Sequence, residues 1–470
     1  MAAWTPDMAW PSPTPGGAAA PAWGGYTRLW VRAALAAGQA FHMGAHPNDR
    51  LDAGNVMSGP PAVGLAAVAG PIERLWVDIS CDVLDVSIVA GTITAQGIFA
   101  NSDAATLEVT IADPSGIYDP ANPAGPFSYG GVSRLQPGCP IEAWCEVVDG
   151  DDGTWTTHWL FTGTADSWSQ DWTPHPSSRR TTLIATDVTR EWVRMDRPEQ
   201  PAVGAGDTTR ARVDRIVTFF GWLGAVVHPA SSGAVTLQAT TLAQSGWELL
   251  NRTLDDELGF VHFTPKGELR WLDRSIWFTK TDPVVTLGCD VGYDVLTDAT
   301  PSALGWQLRN AVYAARTGGT SQSAISQPSI DRYGRYDYTR TDLGLNDDTQ
   351  AATWANVVVQ LYAYPQVTLD DVTFQPAIAD QPWNAWKDVL DVDMVSDVVH
   401  VRWAPPDLPQ HVRDSTSRVV GYSHRITRSA WEVTWQLVAS NPMAYIGAVF
   451  TMGPHAQDRL DSNFVLGFAG

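Results

Sequence analysis

Apolar and polar positions alternate from Thr106 to Ile111: Leu107, Val109 and Ile111 take one face, and Thr106, Glu108 and Thr110 the other. A period of two is what a half-buried strand demands. The pattern returns in Ile141, Ala143, Cys145 and Val147, set against Glu142, Trp144 and Glu146, with Leu135 and Pro137-Gly138 preparing the entry. Between these limbs stand Asp113-Pro114, Asp119-Pro120, Asn122-Pro123, Gly125-Pro126 and Gly130-Gly131. They fix or free φ too often for a helix or ladder to persist, so an irregular loop is predicted. The flanking runs ERLWVDISCDVLDVSIVAG, HWLFTGTADSW and RTTLIATDV extend the strand pattern from Ile72 to about Arg197. Short strands at regular spacing predict a barrel or sandwich.

After Thr208 the period changes. Val213, Ile216, Val217 and Phe220 fall at i, i+3, i+4 and i+7, with Thr208 or Thr209 as cap and Gly221 and Gly224 as stop. A second helix is predicted after Thr241, with Trp247, Leu250, Leu254 and Leu258 on one side and Gly259 at its end. FVHFTPKGELRWL then reads as a hairpin shaped by Pro265 and Gly267. Strands resume from about Val284, and GWQLRNAVYAARTGG reads as a strand ending in a Gly-Gly turn. A helix is predicted over residues 349–362, with Ala351, Ala355, Val358 and Tyr362 on one face and Asp347 and Asp348 at its positive end. RVVGYSHRITRSAWEVTWQLVAS alternates through two closing strands.

The start of the chain reads differently. Pro6, Pro11, Pro13, Pro15 and Pro21 alternate with Trp4, Trp10 and Trp23, which predicts an extended arm that lies on a neighbouring subunit. RLWVRAALAAGQAF (28–41) reads as a short helix, and the Gly/Ala/Pro-rich stretch 51–70 leads into the strands.

Composition narrows the class. At 470 residues the chain is long enough for three or four domains, and 44% hydrophobic with 17% charged residues argues for folded domains over disorder. The net charge of −21 disfavours tight non-specific nucleic-acid binding. Of the basic residues only Lys266, Lys280 and Lys387 are lysines, so arginine, the better interface residue, dominates. The 22 tryptophans suit cores, interfaces or sugar-stacking platforms alike. Cys81, Cys139, Cys145 and Cys289 show no CxxC spacing and read as small core hydrophobes without disulfides. No signal-like start occurs, and no run approaches the roughly 18 apolar residues of a membrane helix.

The chemical candidates are few. His42 and His46 have an i, i+4 metal spacing that Gly44 and Pro47 interrupt. Asp255, Asp256 and Glu257 invite a glycosidase reading, yet their position late in an amphipathic helix, away from Trp247 and Leu254, predicts a solvated or interface face. Asp370, Asp371, Asp388, Asp391 and Asp393 lack a calcium-loop pattern. With no nucleophile elbow, phosphate loop or dinucleotide fingerprint, no catalytic, cofactor-binding or metal-binding residue is assigned and no enzymatic activity is expected.

Several stretches in order carry a resemblance: IADPSGIYDPANP, FSYGG and LQPGCPIEAWCEV, then LFTGTADSW with a Phe-Thr-Gly corner, then TTLIATDVTREW. WELLNRTLDDELGFVHFTPKGELRW, LRNAVYAARTGG and YDYTRTDLGLNDDTQAATWAN follow. Together, over roughly residues 71–440, they resemble the minor tail protein, or baseplate hub, of long non-contractile-tailed, siphovirus-type actinobacterial phages. The resemblance implies a mainly β, multi-domain chain: two tail-tube-like β-barrel domains and two smaller mixed α/β domains, nested in sequence. The expected layout is an arm over 1–70, a first barrel over 71–198, a helix/hairpin domain over 199–285, a second barrel from 286–345 with 413–445, an inserted domain over 346–412, and a tail over 446–470. It also implies a virion protein of the tail tip, assembled in the host cytoplasm: a homo-trimer whose six barrels match a sixfold tube to a threefold tip. The implied partners are the distal tail protein or tube ring, the tape measure protein, and other minor tail or receptor-binding proteins. DNA is only passing cargo, which an acidic wall would suit. The proline-broken loop is then expected to join subunits. The alternative class is a tail protein that binds or hydrolyses host cell-wall carbohydrate on tryptophan platforms.

Overall fold

The computed structural model describes residues 22–23, 27–35, 75–91, 102–123, 125, 127–129, 132–150, 152–288, 292–304, 308–404, 412–427 and 429–440. The fold is mainly β and separates into two compact units, one of residues 1–87, 107–185 and 425–431, the other of residues 88–106, 186–424 and 432–470.

In the first unit, β2 (Thr27–Leu35) carries β1 (Ala22–Trp23) and β3 (Leu75–Asp78) on one edge and β8 (Pro140–Val148) on the other, all antiparallel to it. The order continues through β9 (Trp155–Asp171), β10 (Arg180–Asp187), β5 (Thr106–Ala112) and β4 (Val83–Ala90). Within the first unit the order thus runs from β3 to β4, two halves of one segment divided by a single 3-10 turn at Ser80–Asp82. That turn is fastened to β2: the Ile79 amide donates to Val31 O at 3.0 Å, and the Val31 amide donates to Ser80 Oγ at 2.8 Å. Among the described residues no ladder joins β3 to β4 directly.

The alternations at 107–111 and 141–147 hold, with every apolar member buried. Two other expectations fail. Residues 28–35 form an interior strand and not a helix, because Leu29, Val31 and Ala33 face the core while Arg28, Trp30 and Arg32 face away. The rest of the predicted helix, and most of the predicted arm, lie outside the described residues. The Phe161-Thr162-Gly163 corner is also absent: these residues sit within β9, paired to Ala143, Glu142 and Ile141. A bulge just before them leaves Leu160 extra, so that both Leu160 and Phe161 turn inward.

In the second unit, α1 (Thr189–Arg194), α2 (Thr209–Phe220) and α3 (Gly246–Glu257) share a core with β14 (Phe260–Phe263) and β15 (Leu269–Leu272), built on Trp192, Ile216, Phe220, Trp247, Leu254 and Trp271. The capping signals of α2 are as predicted. Thr208 accepts from the Ala211 amide and Gly221 takes the left-handed conformation, φ 70°, that ends the helix. The α3 end differs, because the left-handed residue is Leu258 (φ 61°) and not Gly259. The Gly259 amide closes the turn on Leu254 O at 2.8 Å, and a Cβ on Gly259 would meet Leu272 O at 2.2 Å. Glycine is required there for space. The left-handed backbone drives Leu258 into a second core, that of a lobe spanning residues 308–363. This lobe comprises β18 (Ala311–Arg316) between β19 (Gln322–Ile325) and β20 (Asp337–Leu343), covered by α6 (Asp348–Tyr362), in which Asp347, expected only as a charge at the positive end, caps the helix by accepting from the Gln350 amide.

The remaining strands of this unit form a mixed sheet in the order β16 (Pro283–Gly288), β22 (Val398–Trp403), β23 (Arg413–Thr427), β24 (Trp431–Ala439), β21 (Gln366–Phe374) and β17 (Leu296–Leu304). β16 and β22 run parallel. The β14–β15 hairpin is buried on both faces: Val261, Phe263, Leu269 and Trp271 join the helical core, while Phe260 and Leu272 pack with Met394, Val395 and Val420. Replacing Gly259 by Ala pushes a methyl into the Leu272 carbonyl, and a loss of about 1–3 kcal/mol is expected in urea unfolding followed by tryptophan fluorescence.

Candidate functional site

The loop between β5 and β8 is the most irregular segment of the first unit, and its root is the most tightly bonded. Asp113, at the end of β5, is buried, and its carboxylate accepts from the amides of Ile117 (2.7 Å) and Tyr118 (3.2 Å) and from Thr181 Oγ1 (2.8 Å). Its own amide donates to Arg179 O at 3.1 Å. The Tyr118 hydroxyl donates to Asp82 Oδ2 at 2.7 Å, and Gln170 Nε2 donates to Tyr118 O at 2.9 Å. Burial, reinforced by the bond to Asp82, pushes the Tyr118 phenol far above its ordinary range, so it stays a donor. Its ring stacks on Phe127, centroids 5.4 Å apart. Leu135 and Cys139 are buried at the far end of the loop, whereas Pro114, Ser115, Ala121 and Pro123 are exposed. The loop is therefore irregular over much of its length on a fixed base, but a short antiparallel ladder, Ser128–Tyr129 with Val132–Ser133, forms within it where none was expected. Sequence reading missed this base, although an Asp that ends a strand and is followed by Pro and Gly is the sign of a side chain bonding the amides ahead of it.

Beside it lies an aromatic face. Register places Trp30, Trp144 and Trp159 side by side on β2, β8 and β9. Trp30 and Trp144 stack at 6.1 Å with planes 9° apart, and Trp144 meets Trp159 at 5.8 Å, tilted by 42°. Arg32 lies over Trp76 at 4.3 Å and near Trp144 at 4.9 Å while it pairs with Glu142 at 2.5 Å, and Arg28 lies 3.9 Å over Trp155. These rings turn their faces to one another and to guanidinium groups. A sugar platform needs an open ring face, and in each of these rings a neighbouring ring or guanidinium competes for one.

The acidic triplet of α3 is where sequence and structure differ most. Asp256 is 3% and Glu257 0% exposed, so neither lies on a solvated face. Glu257 accepts from Thr209 Oγ1 (2.6 Å) and from the amides of Ala234 (3.0 Å) and Val235 (3.3 Å), and it faces Arg274 at 3.4 Å. Asp256 accepts from the Gly344 amide at 3.1 Å, and Asp255 lies 3.7 Å from Arg340. Carboxylates so committed to structure are not poised about a scissile bond.

The other candidates are dispersed. Asp388 accepts from the Tyr293 hydroxyl at 2.6 Å, Asp393 pairs with Arg270, and Asp371 is held above the usual carboxylate range by burial and by Asp370. Among the described residues no three metal-capable side chains gather. Cys139 and Cys145 are buried thiols as expected, but Cys81 is exposed. His42, His46 and Cys289 lie outside the described residues. No helix among those residues is long and apolar enough to cross a membrane. Removing the Glu257 carboxylate strands Arg274 and three donors, so Glu257→Ala is expected to cost about 3–5 kcal/mol by denaturant titration, far more than a change at the exposed Asp342.

No family model and no curated protein matches the chain. Solved structures do. The 43 kDa tail protein of prophage MuSo2 from Shewanella oneidensis is 15% identical, over 78% of this chain and 97% of that one, at a TM-score of 0.48. A tail protein from Neisseria meningitidis MC58 is 13% identical, over 79% and 96%, at 0.49. The prophage tail protein gp18 from Listeria monocytogenes EGD-e is 12% identical, over 79% and 94%, at 0.44. These three structures are phage or prophage tail proteins, and other structures to which the chain is similar are a type VI secretion system component from E. coli and a Francisella PdpA-VgrG complex.

Proposed function

We propose that the chain is a structural protein of a siphovirus-type phage tail tip, a trimeric hub that closes the tail tube and anchors the receptor-binding parts. The observation that carries this reading is the ordered run of IADPSGIYDPANP, FSYGG, LQPGCPIEAWCEV and LFTGTADSW, whose first, third and fourth members fall on β5, β8 and β9 of one sheet. The first unit is read as a barrel whose closure runs through the continuous segment 75–90. The sheet of β16, β17 and β21–β24 is read as its counterpart, so that three chains present six barrels to a sixfold tube. The loop after β5 has the form of a contact element, since its root is fixed and its middle is exposed. The distal tail protein or tube ring and the tape measure protein are the partners this reading assigns. Opening of the ring on host contact would release DNA by rearranging packed subunits, without a reaction. The carbohydrate reading has less support, because among the described residues of the first unit Trp30, Trp76, Trp144, Trp155 and Trp159 already pack against neighbouring rings or guanidinium groups.

Native mass measurement of the purified or virion-released protein tests the proposal, with a trimer expected. Gold-labelled antibody should mark the tail tip of intact particles. A stable monomer that is retained on host envelope polysaccharide would overturn the hub reading.

A further inference from the structure

The last turn of α3 holds the 308–363 lobe through a buried carboxylate, that of Asp256, with more exposed charged groups around it. The Asp256 carboxylate receives the Gly344 amide on both oxygens at 3.1 Å, and a Cβ on Gly344 would come within 2.6 Å of Asp256 Oδ2. Trp354 Nε1 donates to Asp255 O at 3.1 Å, Arg252 Nη2 donates to Asp342 O at 3.3 Å, and Leu258 inserts into the lobe core. Around this junction stand Arg252, Asp255 and Glu257 from α3, Arg212 from α2, and Tyr338, Arg340 and Asp342 from β20. Arg340 is already shared between Asp255 and Asp342. Among the described residues Asp256 has no ion pair of its own, and its one hydrogen-bond donor is the Gly344 amide.

We propose that the Asp255-Asp256 pair is a proton-operated clasp, which grips the lobe when it takes up a proton and loosens its hold when the proton leaves. The buried Asp256 carboxylate loses its hydration and lies beside a second carboxylate, Asp255, and a proton on Asp256 relieves both costs, the first being the larger. The neutral acid keeps its carbonyl oxygen for the Gly344 amide, so protonation preserves the bond between helix and lobe. Burial pushes Asp256 up to about 7, against the counter-pull of the Gly344 bond and of Arg340 and Arg252, and burial likewise pushes Asp255 up to about 6. The sign follows from linkage. A carboxyl whose value is raised in the folded state adds stability at lower pH, and this is lost as pH rises through the raised value. The window is therefore the neutral range, where a raised carboxyl can report pH as an ordinary one cannot.

Hydrogen-exchange protection of the Gly344 amide in the full chain tests the clasp locally, apart from the contribution of Asp187, which is also raised, to about 6. Protection, corrected for the intrinsic exchange rate, is expected to rise on the order of tens-fold as pH falls from about 8 to about 5.5. In Asp256→Asn it should be high and nearly independent of pH, because the amide mimics the neutral acid. Protection that does not vary with pH in the unaltered chain, or that is lost at both pH values in Asp256→Asn, overturns the proposal. A carboxyl-carbon titration of the unaltered chain gives a second readout that needs no variant. One aspartate resonance with a midpoint near neutrality is expected, and titration of every carboxyl below about pH 5 refutes the clasp.

Discussion

A carboxylate with no solvent contact is the constraint on which the second unit turns. Burying such a charge costs several kcal/mol unless donors surround it, and Glu257 finds them on three segments: Thr209 at the start of α2, the amides of residues 234–235, and Arg274 beyond β15. Each donor must be in place for the charge to be tolerated, so α2, α3 and the hairpin are positioned together. The next residue, Leu258, leaves the helix in a left-handed turn and enters the lobe, while Gly259 lets β15 approach. Three consecutive residues thereby set helix end, lobe contact and hairpin entry.

The first unit uses the same device on a smaller scale. Asp113 collects two amides and a hydroxyl, and so converts a proline-broken connection into a loop with a fixed root. Arg418 is the inverse case, a fully buried cation that donates to the carbonyls of Ile276, Lys280, Val395 and Ser396. Burial pulls its guanidinium down to about 10, with Asp397 opposing. Strong charge-assisted bonds thus sit where backbone geometry is irregular, and apolar packing suffices where the strands are regular.

Legibility in the sequence followed the same division. Residues 107–111 and 141–147 announced their strands because each alternates against a single core, and Thr208 with Gly221 announced α2 because caps act within a few residues. Leu29, Val31 and Ala33 were misread as helix, since Ala, Leu and Arg are strong helix formers and their alternation counts only once β3 and β8 flank them. The Leu160 bulge shifts the inward face by one residue, and local pattern alone cannot place it. The α3 acids were misread for a related reason: the donor to Asp256 lies 88 residues away and that to Glu257 from Thr209 lies 48 away. Charge predicts exposure only while no distant partner is known.

The passage from β3 to β4 through Ser80–Asp82 has a mechanical consequence. A sheet is commonly unzipped from a terminal strand, one hydrogen bond at a time. Here the first and last strands of the run that lies in the first unit, β3 and β4, are one continuous segment, held to β2 at Ile79 and Ser80. A force applied to β3 is passed along the covalent chain to β4, so neither strand is loaded without the other.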